Sequence, residues 1–248
     1  MSNEALVRET GTEMVRRPST WSDVVNLFVS PRSTFESVSR RARWVIPFLL
    51  LVLCAVVFEV SVSGTRMDDL KLQVKNDPDM SQDDIQHRLD NIENQRSPEL
   101  VSLRTGLGVL ALGVLEFAKL LGLSIVLLLF CMLFVSELRF VAILSICAFS
   151  SLILIPEIAL KIPLILLKGT THIWFSPAAL FSGMDENNLM FRFMQSIDIF
   201  TIWKMILVGM GLHTVFGIAK SKSYLIVTVL FLLWVAGHSL LGGLIHIA

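Results

Sequence analysis

The sequence predicts an all-α polytopic membrane protein. It is a bundle of five transmembrane helices, with N-terminal interfacial amphipathic helices and an extramembrane helical projection. Three observations predict it. Five apolar runs are long enough to cross a bilayer, which takes ~20 residues because the hydrocarbon is ~30 Å thick. Of 248 residues, 54% are hydrophobic and only 17% charged, whereas a soluble domain carries about a quarter. Most of this chain must therefore face lipid or pack inside a bundle. Finally, Arg and Lys concentrate on alternate connections, the bias that orients spans in a membrane.

Residues 1–19 are polar and read as a disordered cytoplasmic tail. The membrane domain covers 20–247. Thr20 and Asp23 have capping-box spacing, with Asp in place of Glu. Val24, Val25, Leu27 and Phe28 then form an apolar side. Ser30-Pro31 restarts the helix, with serine as cap and proline at the first position. Phe35 and Val38 continue the apolar face, and Arg40, Arg41 and Arg43 form a basic end before Trp44. The reading for 20–43 is a helical pair lying among headgroups.

The first span is about 45–63. No cleavable leader pattern precedes it, so it reads as an uncleaved anchor. Residues 64–97 are polar and acid-rich, broken at Asp77-Pro78, with Ile85, Leu89 and Ile92 at helical spacing. Ser97-Pro98-Glu99 starts a new helix. That helix runs unbroken to Val135, roughly twice the length the hydrocarbon needs, so its first turns project. Its membrane part is about 109–133. Span three is about 139–163 and contains Pro156 and Pro163. The connection 168–197 holds Trp174, Phe175, Phe181, Phe191 and Phe193, suited to an interface. Spans four and five are about 198–218 and 224–246.

Seven arginines precede span one, from Arg8 to Arg43. Arg139 follows span two, and Lys220 and Lys222 follow span four. The two long connections are acidic or nearly uncharged. The expected orientation is therefore an N-terminus in the cytoplasm and a C-terminus outside.

Ionisable residues inside spans are costly and default to functional candidates. They are Glu59, Glu116, Lys119, Glu157, Lys161, Lys204 and His238. Glu59 and Lys204 lie ~6–8 Å from the outer end of their spans, Glu116 and Glu157 ~13–15 Å. Glu116 and Lys119 are spaced i,i+3, and Glu157 and Lys161 i,i+4, so pairs can close on one helix. Two arrangements satisfy this set. The charges close into intramembrane ion pairs, or they line a polar cavity open to the outside. Pro156 beside Glu157 favours the cavity, because proline frees the carbonyl one turn back.

Other chemistry finds no support. Cys54, Cys131 and Cys147 lie in apolar runs and form no disulfide framework. His213, His238 and His246 do not converge, so no metal site is read, and no cofactor. There is no phosphate loop, nucleophile elbow or dinucleotide fingerprint. Arg40, Arg41 and Arg43 abut a membrane, so their partner is anionic lipid and not nucleic acid. Gly209, Gly211, Gly242 and Gly243 permit close helix approach.

The segment Ser30-Pro31-Arg32-Ser33-Thr34-Phe35-Glu36, followed by Trp44-Val45-Ile46-Pro47, resembles the Ypt-interacting protein (Yip) family. Asp198-Ile199-Phe200-Thr201-Ile202-Trp203 is similar to that family's entry to its fourth span, and Leu207, Gly211 and Ala219-Lys220-Ser221-Lys222 fit as well. The resemblance covers about 20–247. It implies five spans, a cytoplasmic N-terminus and no known catalysis. Eukaryotic relatives are associated with Rab-type GTPases, but the acidic 64–97 connection resembles the bacterial branch, for which the inner membrane is the expected location. Asp198 also reads as a helix cap and Trp203 as an interface anchor.

Two functions follow from these readings. One is a non-enzymatic organiser or adaptor that binds other membrane proteins or lipids. The other is a transporter or lipid-handling protein with an outward cavity lined by Glu116, Glu157 and His238. Sequence leaves the oligomeric state open.

Overall fold

The computed structural model describes residues 20–76, 80–94, 98–135, 137–181, 183–184 and 188–241. Among these the regular structure is entirely helical. Five helical segments are long and apolar enough to span a membrane: Val45–Lys75, Leu107–Met132, Phe140–Lys168, Ile199–Phe216 and Lys220–Ser239. The surface loops joining them define two faces. The basic face carries the N-terminal helices with Arg139, Lys220 and Lys222; the far face carries the two long connections.

Helices α1 (Thr20–Val29) and α2 (Pro31–Arg40) fold back on each other. The spacing of Thr20, Asp23 and Leu27 buries one side of α1, while Trp21, Val25 and Val29 point outward. The polar residues that suggested caps are used to join the two helices. The Asp23 carboxylate accepts from Ser37 Oγ at 2.9 Å, its backbone carbonyl accepts from Thr34 Oγ1 at 2.8 Å, and Thr20 Oγ1 accepts from Arg43 at 2.9 Å. Ser30 makes no side-chain cap. Helix α2 turns its apolar face onto the bundle rather than onto lipid: Phe35 and Val38 are fully buried and α2 packs on α9 and α6. Trp44 likewise packs inward, with ring centroids 6.0 Å from Phe48 and 5.8 Å from Phe117.

Helix α3 (Val45–Lys75) has 31 residues, ~46 Å at 1.5 Å per residue. It continues well past the apolar run, because nothing before Asp77-Pro78 stops it. After α4 (Gln82–Asn94), α5 (Pro98–Met132) has 35 residues. Both α3 and α5 therefore project on the far face. Ser97 lies outside the described residues.

The third span is two helices, α6 (Phe140–Ser151) and α7 (Leu154–Lys168). The break has a local cause. Pro156 offers no N–H to the Leu152 carbonyl and its ring clashes there. That carbonyl instead accepts from Ile155 N at 3.0 Å, and Leu152 N donates to Phe149 O at 3.0 Å, a tighter turn than α. Pro163 sits inside α7 without breaking it. Helix α6 is the centre of the molecule. Every residue from Ala142 to Ser151 is buried, and α2, α3, α5 and α9 pack around it.

Gly169, at φ +65°, ends α7 in the left-handed conformation. A 3-10 turn (Pro177–Phe181) and α8 (Leu189–Ser196) follow. They join through Phe191, whose ring meets Trp174 edge-on at 5.4 Å. Helix α9 (Ile199–Phe216) starts at Asp198, whose carboxylate accepts from Phe200 N at 2.7 Å and Thr201 N at 3.2 Å. Helix α10 (Lys220–Leu241) returns along α9. Glycine makes two contacts possible here. A Cβ at Gly209 would lie 2.7 Å from Tyr224, and one at Gly211 would lie 2.6 Å from Ile146 Cγ2 and 3.1 Å from Phe35 Cε1. Gly242 and Gly243 lie outside the described residues.

Candidate functional site within the membrane

The spans carry three ion pairs, each closed on a single helix. On α3, Arg66 donates to Glu59 two turns back. On α5, Lys119 donates to Glu116. On α7, Lys161 Nζ lies 2.5 Å from Glu157 Oε1, with its ammonium 5.9 Å from the Phe175 ring centroid. Helical spacing alone makes the last two pairs adjacent. The first was missed from sequence because Arg66 fell in what was read as a connection. It becomes Glu59's partner only when α3 runs on past the membrane.

The structure brings some of the predicted residues together and leaves others apart. Lys204, the sixth residue of α9, lies within electrostatic reach of Glu116, Lys119 and Glu157, and of the Cys147 thiol on α6. Charged groups on α5 and α7 thus act on Lys204 through space, with no ion pair to it within 4 Å among the described residues. Ser124 on α5 is buried and donates to the Leu120 carbonyl at 2.7 Å. Sequence carries no signal for Ser124, and Cys147, read there only as a thiol in an apolar run, is free and buried on α6. Glu59 makes its contact with Arg66 on the α3 projection, away from these groups.

His238 belongs to a different site. Its Nδ1 lies 3.0 Å from Ser196 Oγ, and its ring stacks on Trp234 at 5.4 Å. The Ser196 hydroxyl also lies 2.8 Å from the Arg192 carbonyl. A cavity of about 650 Å³ lies beside it between α8 and α10, lined by Leu189, Met190, Phe193, Leu232, Val235 and Ser239 among others. Glu116 and Glu157 do not line it. His213 closes α9 instead, with Nδ1 2.8 Å from Ile218 O. Among the described residues, no three His, Cys, Asp or Glu side chains group as a metal would need.

On the basic face, Arg40 and Arg41 are exposed and Arg43 is half-buried against Thr20. Both Arg40 and Arg43 act on Asp23. Burial pushes the Asp23 carboxyl above its ordinary value, and the Ser37 hydrogen bond and these two arginines offset only part of it. Asp23 and Ser37 were legible only as helix-start residues. Their joint burial depends on the fold-back of α1 on α2.

On the far face, Asp69 near the end of α3 accepts from Thr171 N at 2.7 Å and from the Thr171 hydroxyl. This ties the projecting end of α3 to the turn after α7.

Against known families, the Yip1 domain model matches residues 25–242, most of the chain. No curated protein and no solved structure matches it.

Proposed function

The chain belongs to the Yip1 domain family, and from that premise we propose that it is a non-enzymatic membrane organiser that binds other membrane proteins along its lipid-facing helices. It is a multi-pass membrane protein with five apolar helices. The observation that carries the proposal is the uneven burial of those helices. The central α6–α7 span is 67% buried, whereas the α3, α5 and α10 spans are 17–22% buried. Three spans therefore offer broad lateral surfaces, the area a helix-packing partner requires. The charges support the same reading, since Glu59, Glu116 and Glu157 are each satisfied by a base on their own helix. A satisfied pair needs no solute to complete it.

We orient the basic face to the cytoplasm on the positive-inside rule. Exposed Arg40 and Arg41 then meet anionic headgroups, with the outward Trp21, Val25 and Val29 of α1 seated at the interface. The test is affinity capture in mild detergent with identification of proteins and lipids, run beside solute flux in proteoliposomes. An organiser brings down a membrane protein at constant stoichiometry and supports no flux. A protein captured alone, with flux abolished by Glu157→Gln, overturns the reading in favour of transport.

A further inference from the structure

The groove between α8 and α10 combines an apolar wall with one hydroxyl that nothing satisfies. It encloses about 650 Å³, the size of a small-ligand site. Leu232, Val235, Ala236 and Ser239 line it from α10; their i, i+3, i+4, i+7 spacing makes one face of that helix the floor. Leu189, Met190 and Phe193 line it from α8. These three and Leu232 are 43–58% exposed, so the groove opens on the protein surface, whereas Val235 and Ser239 are 2% and 4% exposed. The contact between His238 Nδ1 and Ser196 Oγ, at 3.0 Å, holds α8 against α10 beside it. Elsewhere in the bundle, Ser124 and Ser145 each return the hydroxyl to the carbonyl one turn back, at 2.7 Å. Ser239 does not: its buried Oγ has no hydrogen-bond partner among the described residues. A buried hydroxyl left this way is costly until a ligand completes it.

We propose that this groove seats one acyl chain of a glycerolipid, with Ser239 Oγ donating to the ester carbonyl at the head of that chain. Depth selects the occupant. The span Lys220–Ser239 has 20 residues, ~30 Å at 1.5 Å per residue, which is the thickness of the hydrocarbon. Ser239 therefore lies at the far boundary, the level at which the glycerol esters of a bilayer lipid sit. Leu232 lies seven residues deeper on the same helix, ~10 Å, so the groove runs inward from the esters as a lipid tail does. An ester carbonyl accepts and does not donate, which matches a serine O–H with no acceptor of its own. Asn188 also lines the groove and is exposed. Its side-chain oxygen is committed to Met190 N at 2.8 Å, and its amide group remains a second donor. No charged side chain lines the groove among the described residues, so recognition is by chain and ester and not by headgroup charge. The site does not depend on the organiser reading, because it requires no protein partner.

The experiment is native mass spectrometry of the full chain, stripped of lipid in a neutral detergent. It is titrated with dioleoylphosphatidylcholine or with the diether analogue, which lacks both ester carbonyls. The diester is expected to bind at one copy per chain, about fivefold tighter than the diether, the effect of one hydrogen bond. Ser239→Ala should bind both lipids at the diether's level. Ala236→Trp, at an exposed lining position, should fill the groove and weaken both lipids about tenfold or more. Dioleoylphosphatidylglycerol should bind as the phosphatidylcholine does. Equal affinity of the natural chain for diester and diether overturns the proposal. So does full binding by Ala236→Trp, or an affinity that follows headgroup charge. A lipid-free dimer that Ala236→Trp splits assigns the groove to a second copy, and lipid binding seen only in a chain ending at Leu241 assigns it to residues 242–248; either result overturns the proposal too. Ser239→Ala removes an unsatisfied buried hydroxyl, so the unfolding midpoint of the lipid-free chain should be unchanged or higher. That control separates a lost ligand contact from a lost fold.

Discussion

Replacing Gly211 with alanine probes the point where α2, α6 and α9 meet. The added Cβ would lie 2.6 Å from Ile146 Cγ2, 3.2 Å from Ile146 Cγ1 and 3.1 Å from Phe35 Cε1. Both neighbours are fully buried, so neither can swing away. Overpacking of this kind costs about 1–3 kcal/mol. Alanine's better helix propensity returns about 1 kcal/mol. The fair comparison is therefore Gly122→Ala on α5, which gains the propensity and meets nothing within 4 Å. Unfolding midpoints in mild detergent, followed by tryptophan fluorescence, should place Gly211→Ala about 2–12 °C below Gly122→Ala. The clash itself is isolated by Ile146→Ala, which removes both offending carbons. The double variant Gly211→Ala/Ile146→Ala should be more stable than the sum of the singles by about 1 kcal/mol or more. Equal midpoints for Gly211→Ala and Gly122→Ala, with additive energies in the cycle, would refute the close packing of Phe35 between α6 and α9.

Asp23 makes stability depend on pH with a defined sign. Burial raises its folded value above the ordinary 3.8, so below that pH both states are protonated and its contribution is fully present. As pH rises from there the unfolded chain ionises first, and stability is lost until the folded carboxyl has titrated. Asp23→Asn should remove that slope in a comparison of pH-dependent midpoints, and an unchanged slope contradicts the assignment. Asp69→Ala should free the end of α3 from Thr171, raising amide exchange at 66–75 and 170–172 about fivefold for a loss of about 1 kcal/mol, as for a part-buried hydrogen bond. Unchanged exchange there would rule out the tie. Glu157→Gln leaves Lys161 without its carboxylate and should cost about 3–5 kcal/mol, most of it recovered in Glu157→Gln/Lys161→Gln. Equal losses in the single and double variants, read by chemical unfolding, would mean the pair is not closed.

Much of this architecture was legible because membranes impose a simple rule: a span must be long and apolar. That rule found five spans, and helical spacing alone paired Glu116 with Lys119 and Glu157 with Lys161. The rule says nothing about a helix once it leaves the membrane. Residues 64–75 are polar yet contain no breaker, so α3 continues through them to Lys75 and Arg66 reaches Glu59. Pattern also failed where an apolar face had two possible partners. Phe35 and Val38 can face lipid or protein, and the gap at Gly211 is what makes room for the Phe35 ring. The same holds for Trp44, which stands at the mouth of the first span but packs on Phe48 and Phe117. The grouping of Lys204 with α5, α6 and α7 required knowing which helices surround α6, a matter of tertiary packing that spacing along one chain does not encode.

Site-specific photo-crosslinking in intact membranes tests the organiser claim most directly. The probe is placed in turn at Leu53 on α3, Leu115 on α5 and Leu232 on α10, each more than half exposed, with buried Leu127 as control. Discrete protein adducts are expected from at least one of the three exposed positions and none from Leu127. Lipid adducts alone from all three would contradict the organiser claim.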